Sequence, residues 1–383
     1  MKKIALTMFI IERLVSLFTF ASVLLVAMLG ISCLKKPQYK FVLWGYLLCL
    51  VFFAYIYKPW ITADLYRLHL WCEESWCYYS WTNLWMEVRH SATPMWYFFS
   101  WAIFQLSHNL NLIQTFACLL GFGSIIYVIS DTIEKNGVQG TRRALILFFV
   151  MALGTFYLEM ISGIRSMLGF SVVFFCMYRE IIQKKSILLD IPLYLFAAFM
   201  HQAALVLVTV RILLFMFESK KVLYRLFCFP IVILIVVMSL YYANFYIDSA
   251  INKAIAYSIS ENEYSYIWEI IIGLIEQLQV YFIIYKYRKQ EKKYSYNYNL
   301  FWKISLVIGI VSLCALPFSY AIFRRYTIFA SLCCIPLLGR LCNNLRPYSK
   351  KFFMQAMWLL SLIIFALSCI RGDLCGYKFF VLG

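Results

Sequence analysis

The chain has 383 residues, of which 63% are hydrophobic and 14% charged, and its mean hydropathy is +0.77. Because about a quarter of the residues in soluble domains are charged, this composition excludes a soluble globular domain and indicates a polytopic membrane protein. The formal charge of +17 is explained by the Lys and Arg residues that collect in cytoplasmic loops, so nucleic acid is not an expected partner.

Apolar runs follow one another along the whole chain, separated by short polar segments. A transmembrane helix needs about 17–25 mostly apolar residues. The longer runs lie near residues 15–33, 40–57, 112–130, 144–158, 163–182, 223–242, 267–285, 300–317, 322–339 and 352–370. We therefore predict an all-α fold with about 10–12 transmembrane helices, forming a single transmembrane domain over residues 1–383. Glu12 and Arg13 interrupt the first apolar stretch and no small-residue cleavage site follows, so we expect an uncleaved N-terminus.

Three apolar pieces are too short to cross a bilayer comfortably: residues 95–107, 187–200 and 203–217. Such pieces form half-helices or re-entrant hairpins where other protein covers their backbone. We expect 95–107 to dip and return, and 187–217 to form one hairpin.

With these two assignments, six basic clusters lie on one side of the membrane, which the positive-inside rule makes cytoplasmic. Together they hold 21 of the 35 Lys and Arg residues. The clusters are Lys35/Lys36/Lys40, Lys135/Arg142/Arg143, Arg179/Lys184/Lys185, Lys220/Lys221/Arg225, Lys286/Arg288/Lys289/Lys292/Lys293 and Arg340/Arg346/Lys350/Lys351.

The opposite, outer face then receives two loops, 58–94 and 243–266, together with several shorter turns. The positive-inside rule leaves few arginines on that face. Four arginines on that face require another explanation: Arg67, Arg165, Arg324 and Arg325.

The first outer loop contains ITADLYRLHLWCEESW, where acidic residues and Arg67 lie among Tyr and Trp side chains. Aromatic faces beside acidic groups suit stacking on sugar rings, and Asp64 and Arg67 follow directly after the second span. The alternative is an aromatic belt at the interface with solvated charges. Cys72 and Cys77 share this loop, and a disulfide between them stays open.

Arg165 opens an apolar helix at its outer end, and the next helix returns to the outer side at His201. The two residues are therefore predicted at similar depth. The arginine either snorkels to water or binds a phosphate through its planar fork of donors. The histidine is a structural residue, a hydrogen-bond donor to phosphate or sugar, or a general base.

Arg324 and Arg325 are adjacent at the outer end of a late span. Two guanidinium groups repel each other unless an anion lies beside them, and a diphosphate is a natural partner. In the alternative, one arginine snorkels and the other pairs with Glu159 or Glu269.

Two other carboxylates lie within or next to apolar runs. Mid-span Glu276 is either a proton-relay group or a partner of Arg211, and we expect Asp190 to be solvated. No nucleotide-binding, zinc or nucleophile-elbow motif occurs, so we expect no cofactor and no metal.

These features resemble the EpsG-like group of bacterial exopolysaccharide biosynthesis proteins, which overlaps with Wzy-type polysaccharide and O-antigen polymerases. This chain has Ser166 where the group commonly has Gln, and Ala203 where it commonly has Ser or Thr. The resemblance rests on ADLYR (Asp64 to Arg67), the helix start Ile164/Arg165/Leu168/Gly169, the basic turn QKK, the pair Ala197/His201, and Arg324 or Arg325 before an apolar span.

The resemblance implies a glycosyltransferase-C-like, metal-independent polymerase in the bacterial cytoplasmic membrane, acting at its outer face. Its substrate would be an oligosaccharide repeat on undecaprenyl diphosphate, and chain-length regulator or flippase proteins would be further partners. The alternatives are a transporter of lipid-linked sugars and a transferase that modifies a single sugar. The implied catalytic residues are Asp64, Glu159 and His201, and the implied diphosphate or sugar ligands are Tyr66, Arg67, Arg165, Gln202, Arg324 and Arg325.

Overall fold

A computed structural model of the protein describes residues 2–59, 64–76, 80–91, 93–153, 156–218, 263–290, 296–317 and 319–371, with residues 229, 230 and 233. Three predicted features lie wholly or mostly outside this part of the chain. They are the run 223–242, the loop 243–266 and the Cys72–Cys77 pairing, since Cys77 is not described.

The described residues are helical apart from turns, with one π-helical segment at Cys72–Trp76 and no strand in these ranges. The α-helices are α1 (Lys2–Cys33), α2 (Gln38–Ile56), α3 (Asp64–Trp71), α4 (Trp81–His90), α5 (Pro94–Ser107), α6 (Asn111–Lys135), α7 (Thr141–Met151), α8 (Phe156–Ser162), α9 (Ile164–Ile181), α10 (Ile187–Met200), α11 (Gln202–Glu218), α12 (Glu263–Arg288), α13 (Tyr296–Ala315), α14 (Tyr320–Cys333), α15 (Ile335–Asn344) and α16 (Pro347–Arg371).

Within the described residues, six helices are long and apolar enough to cross a membrane, or up to eight if each bent pair is one span. The bent pairs are α7 with α8, at 51°, and α14 with α15, at 41°. Pro336 lies in the first turn of α15, where its missing N–H and fixed φ favour a helix start. The predicted all-α polytopic fold is confirmed, and α10 and α11 are shorter apolar helices.

One end of the bundle gathers the basic loops. Lys36 and Lys40 both pair with Glu134 at the end of α6. Arg143 at the start of α7 donates to the carbonyl of Leu34 at 2.7 Å. Arg142 donates to the carbonyl of Cys342 in α15 at 3.0 Å. The predicted clustering of these loops at one end agrees with these contacts.

The stretch between α2 and α6 leaves and returns on the same side. The Gln114 amide of α6 donates to the Tyr57 carbonyl at 3.4 Å, and Asn109 donates to the Tyr55 hydroxyl at 3.2 Å. Both ends of the stretch therefore lie at the same end of the bundle, and residues 95–107, expected to dip and return, form one continuous helix, α5 (Pro94–Ser107). Within the segment expected as a loop, the described residues include the short helices α3 and α4.

Helices α10 and α11 form the predicted hairpin and are joined at His201 alone. The carboxylate of Asp190 in α10 is fully buried 3.4 Å from Arg179, so the expectation of a solvated Asp190 is wrong. Arg211 in α11 pairs through two nitrogens with Glu180, one contact being 3.1 Å. Arg211 is therefore not the partner of Glu276. Both ion pairs connect the hairpin to α9.

Candidate functional site

Glycine at position 169 sets the register between α9 and the hairpin. A β-carbon at Gly169 would lie 2.9 Å from Cβ of Ala204 and 3.3 Å from the carbonyl oxygen of Ala197. Arg165 precedes Gly169 by four residues and His201 follows Ala197 by four. At about 1.5 Å rise per residue, both lie about 6 Å from this contact, toward the end opposite the basic loops.

His201 acts as the N-cap of α11. Its backbone is extended (φ −159°, ψ 138°), and its ring Nδ1 accepts the N–H of Ala203 at 3.1 Å. A ring nitrogen that accepts a backbone N–H carries no proton, so the neutral imidazole has its proton on Nε2. In this tautomer Nε2 is a hydrogen-bond donor, which suits orienting a substrate oxygen better than removing a proton.

Replacing His201 with asparagine should separate these two contributions of the side chain. Asparagine is a good N-cap, so the fold and membrane level should stay close to those of the original protein. The Nε2 donor is lost, and we expect product formation to fall about tenfold or more, the loss of one directed hydrogen bond. Alanine at this position should lower both activity and thermal stability, and equal activity of the Asn variant and the original protein would exclude the donor role.

Helix α14 brings Arg325 to the same region. The Tyr326 hydroxyl donates to the carbonyl of Ala203 at 3.4 Å, and the Tyr326 ring stacks on Phe170 with centroids 5.9 Å apart. Arg325 immediately precedes this tyrosine and is half-buried. The late arginines are thus fixed beside the His201 turn and the start of α9.

Arg324 has a different environment from its neighbour. Its guanidinium donates to the Glu276 carboxylate of α12 at 2.5 Å, and the two side chains are 6% and 0% exposed. Gly273 allows this approach, because a β-carbon there would lie 3.1 Å from Cδ of Arg324. The alternative partners considered for an arginine here, Glu159 and Glu269, are not its hydrogen-bonded acceptors. Nη2 of Arg324 and Oε1 of Glu276 are buried without a hydrogen-bond partner.

Glu159 lies at the junction of α8 and α9. Its carboxylate folds against Gly163, where a β-carbon would lie 2.7 Å from Oε2. The charged groups near enough to act on this half-buried carboxylate are Arg325, Glu269, Asp64 and Arg324. Residues from four separate helices, α3, α8, α12 and α14, therefore meet in one electrostatic neighbourhood.

Helix α3 holds Asp64 at this place. The backbone N–H of Leu65 donates to Oγ of Ser162 at 3.4 Å, and His69 bonds to Gln114 of α6 at 2.9 Å. Burial lowers the pKa of His69 from its usual value, so the ring is neutral at neutral pH. Asp64 pairs with Arg67 at 3.0 Å, and these two side chains are 54% and 65% exposed.

Of the residues singled out from the sequence, Asp64, Arg324 and Arg325 lie within electrostatic range of Glu159, and Arg67 pairs with Asp64. Arg165, on α9, and His201, on the hairpin, lie near the Gly169 contact, and Tyr66 and Gln202 are half-buried neighbours of these residues in the chain. Two carboxylates of α12, which the sequence suggested only as ion-pair or proton-relay groups, also lie near the late arginines. Glu269 acts on both Glu159 and Arg324, and Glu276 pairs with Arg324. Their spacing of seven residues, which places them on one helix face, was the available signal.

The described residues contain no group of three or more His, Cys, Asp or Glu side chains that could hold a metal ion. Two cavities lie away from the polar cluster. One, of about 600 Å³, is apolar and lies between α1 and α16, lined by Leu14, Phe18 and Phe365 among others. The second, of about 470 Å³, lies at the basic end between α7 and α16.

Comparison with known proteins gives one family. The family model described as "EpsG family" matches residues 71–380, which is most of the chain. No curated protein and no solved structure matches the chain. The matched range contains Glu159, Arg165, His201 and both late arginines, whereas Asp64 lies just before it. This multi-pass, all-α membrane protein therefore belongs to the EpsG family.

Proposed function

We propose that this protein is a polysaccharide polymerase that joins oligosaccharide repeat units carried on undecaprenyl diphosphate. The reaction takes place at the outer face of the cytoplasmic membrane. The observation that carries the proposal is the cluster of arginines and carboxylates from α3, α8, α12 and α14, at the end of the bundle away from the basic loops. Membership of the EpsG family supports the same function.

The leaving group of this reaction is a lipid diphosphate. An acceptor hydroxyl oxygen attacks the anomeric carbon of the donor sugar, a new C–O bond forms, and the bond from that carbon to the diphosphate oxygen breaks. Fixed cations stabilise the charge that develops on the leaving oxygen. Arg165 and Arg325 are the proposed cations, because Arg324 is already paired with Glu276.

The acceptor proton goes to a carboxylate. Glu159 and Asp64 are the two candidates, since both lie in the arginine neighbourhood and a carboxylate can act as a general base there. His201 would orient donor or acceptor through Nε2–H. Arg67, Tyr66 and Gln202 complete the proposed sugar and diphosphate surface.

A transporter of lipid-linked sugars is the second candidate. Two bent helix pairs, α7 with α8 and α14 with α15, are of the kind that line binding sites in transporters. The buried pair of Glu276 and Arg324 is also compatible with a site that changes its charge during transport.

Purified protein in proteoliposomes would distinguish the two functions. Lipid-linked repeat units supplied on both faces should be converted into a ladder of longer lipid-linked chains if the protein is a polymerase. Movement of labelled lipid-linked repeat across the bilayer, with no new glycosidic bond, would favour transport. A product that grows by one sugar only would indicate a transferase rather than a polymerase.

A further inference from the structure

The groove between α7 and α16 has no part in the proposed reaction, because it lies at the basic end of the bundle. It has a volume of about 470 Å³ and is lined by the first turn of α7 and by residues from Pro347 to Trp358 of α16. Three of its side chains are cations: Arg142, Lys350 and Lys351. Its floor is formed by Met354 and Trp358, so a cationic rim stands above an apolar base.

Among the described residues, the rim cations have no acidic partner. None of the ion pairs within the described ranges of the chain involves Arg142, Lys350 or Lys351. The charge of Arg142 acts directly on Lys350, which means that like charges are held close together. An anion in the groove would relieve this repulsion.

Arg142 and Lys350 also cap the C-terminal end of α15. Arg142 donates to the Cys342 carbonyl at 3.0 Å, and Lys350 donates to the Asn343 carbonyl at 2.8 Å. A guanidinium has five N–H donors and an ammonium three, so each keeps further donors after making one such bond. Neither bond involves the exposed Lys351, so the capping of α15 does not account for the third cation of the groove.

The start of α7 adds to the positive potential. Gly140 is its N-cap and offers no side-chain acceptor for the first turn of N–H groups. Uncapped N–H groups and the helix dipole favour an anion at this position. The groove thus combines three cationic side chains with a helix start that lacks a cap.

The surroundings of the groove favour a lipid over a soluble anion. Trp358 stacks on Phe148 of α7 with ring centroids 5.3 Å apart. Farther along α16, Leu359 and Leu362 are 59% and 55% exposed, as side chains that face acyl chains are. The rim belongs to the basic loops that the positive-inside rule makes cytoplasmic, and that leaflet carries anionic headgroups.

We propose that the groove between α7 and α16 binds the phosphate of an anionic phospholipid, with an acyl chain lying over Trp358. The phosphodiester contacts Arg142, Lys350 and Lys351, and the site is separate from the one for lipid-linked sugar. A bound lipid stabilises the folded protein because it holds α7, α15 and α16 together at their basic ends.

Native mass spectrometry of the purified full-length protein tests the proposal. The probes are phosphatidylglycerol and phosphatidylcholine with identical acyl chains, each added to delipidated protein. We expect retained phosphatidylglycerol to exceed retained phosphatidylcholine about tenfold, and phosphatidylglycerol to raise the thermal midpoint of unfolding. Equal retention of the two lipids by the original protein would overturn the proposal without any variant being needed.

Two charge-reversal variants sharpen the test. Lys351→Glu changes the rim, whereas Lys185→Glu makes the same charge change at an exposed lysine after α9. Reversing a charge that contacts the phosphate removes an attraction and adds a repulsion at the site itself, so we expect Lys351→Glu to lose about tenfold or more of the bound phosphatidylglycerol and the control to lose little. Equal losses in both variants would overturn a specific site. Displacement of the lipid by an equal concentration of inorganic phosphate would show a site for soluble anions instead.

Discussion

Replacing Arg165 with alanine should abolish long polymer while single repeat units persist and the protein stays in the membrane. The physical reason is the loss of a permanent cation beside the departing diphosphate. Removing one donor of this kind typically lowers the rate about 10²–10³-fold. Polymer length on gels and the amount of unpolymerised lipid-linked repeat are the two quantities to measure in cells that lack the original gene.

Two further variants identify the property of Arg165 that is needed. Arg165→Lys keeps the charge but not the bidentate fork, so we expect short chains in reduced amount. The control is Arg89, an exposed arginine on α4 in the outer stretch between α2 and α6. Arg89→Ala should leave polymer unchanged. Polymer of normal length in Arg165→Ala would rule out a role for this residue in the reaction.

The second large effect is expected on stability and concerns the buried pair of Arg324 and Glu276. Replacing either residue alone with leucine leaves its partner as an unpaired charge at a site that is at most 6% exposed. Breaking a buried pair in this way typically costs about 3–5 kcal/mol. We expect both single variants to unfold at lower temperature in detergent and to reach lower levels in the membrane.

The double variant Arg324→Leu/Glu276→Leu removes both charges and should recover most of the lost stability, since apolar replacement of a whole pair is often neutral. The coupling energy from this double-mutant cycle measures the pair directly. Arg325→Ala is the control at the adjacent arginine. We expect this variant to be as stable as the original protein but to form no long polymer. If Arg324→Leu proved as stable as the original protein and lost only polymer, Arg324 would be a substrate ligand. The assignment of a structural role to Arg324 and a substrate-binding role to Arg325 would then be wrong.

Much of the membrane topology could be predicted from composition and charge. Apolar runs and basic loops depend on residue type alone, so the runs near 40–57 and 112–130 correspond closely to α2 and α6. The breaks inside longer runs were harder to predict. The run 322–339 was expected as one span, but it bends by 41° between α14 and α15, where Pro336 starts the second helix.

The roles of individual charged residues needed the three-dimensional structure. Adjacent residues on a helix point about 100° apart, and the sequence does not state how α14 is rotated. The rotation directs Arg324 toward Glu276 and leaves Arg325 half-buried near Glu159. Asp190 was expected in solvent because it is near a basic turn, yet it is fully buried beside Arg179 of α9.

The outer segment illustrates a second limit. Residues 58–94 are polar and aromatic, and such a composition does not distinguish a loop from short helices that pack through a few side chains. Leu65 and Leu68 are the buried face of α3, and His69 with Gln114 fixes this helix against α6. Together with the hydrogen bond from Leu65 to Ser162, these tertiary contacts bring Asp64 into the neighbourhood of Glu159.

The position of bound substrate tests the central claim most directly. The measurement is a cryo-electron microscopy structure of the full-length protein in a nanodisc with undecaprenyl diphosphate added. We expect the diphosphate to lie within about 4 Å of the guanidinium groups of Arg165 and Arg325, the range of a direct ion contact, with His201 facing it. A diphosphate bound at the basic end, or at a place remote from both arginines, would contradict the proposed site and the mechanism built on it.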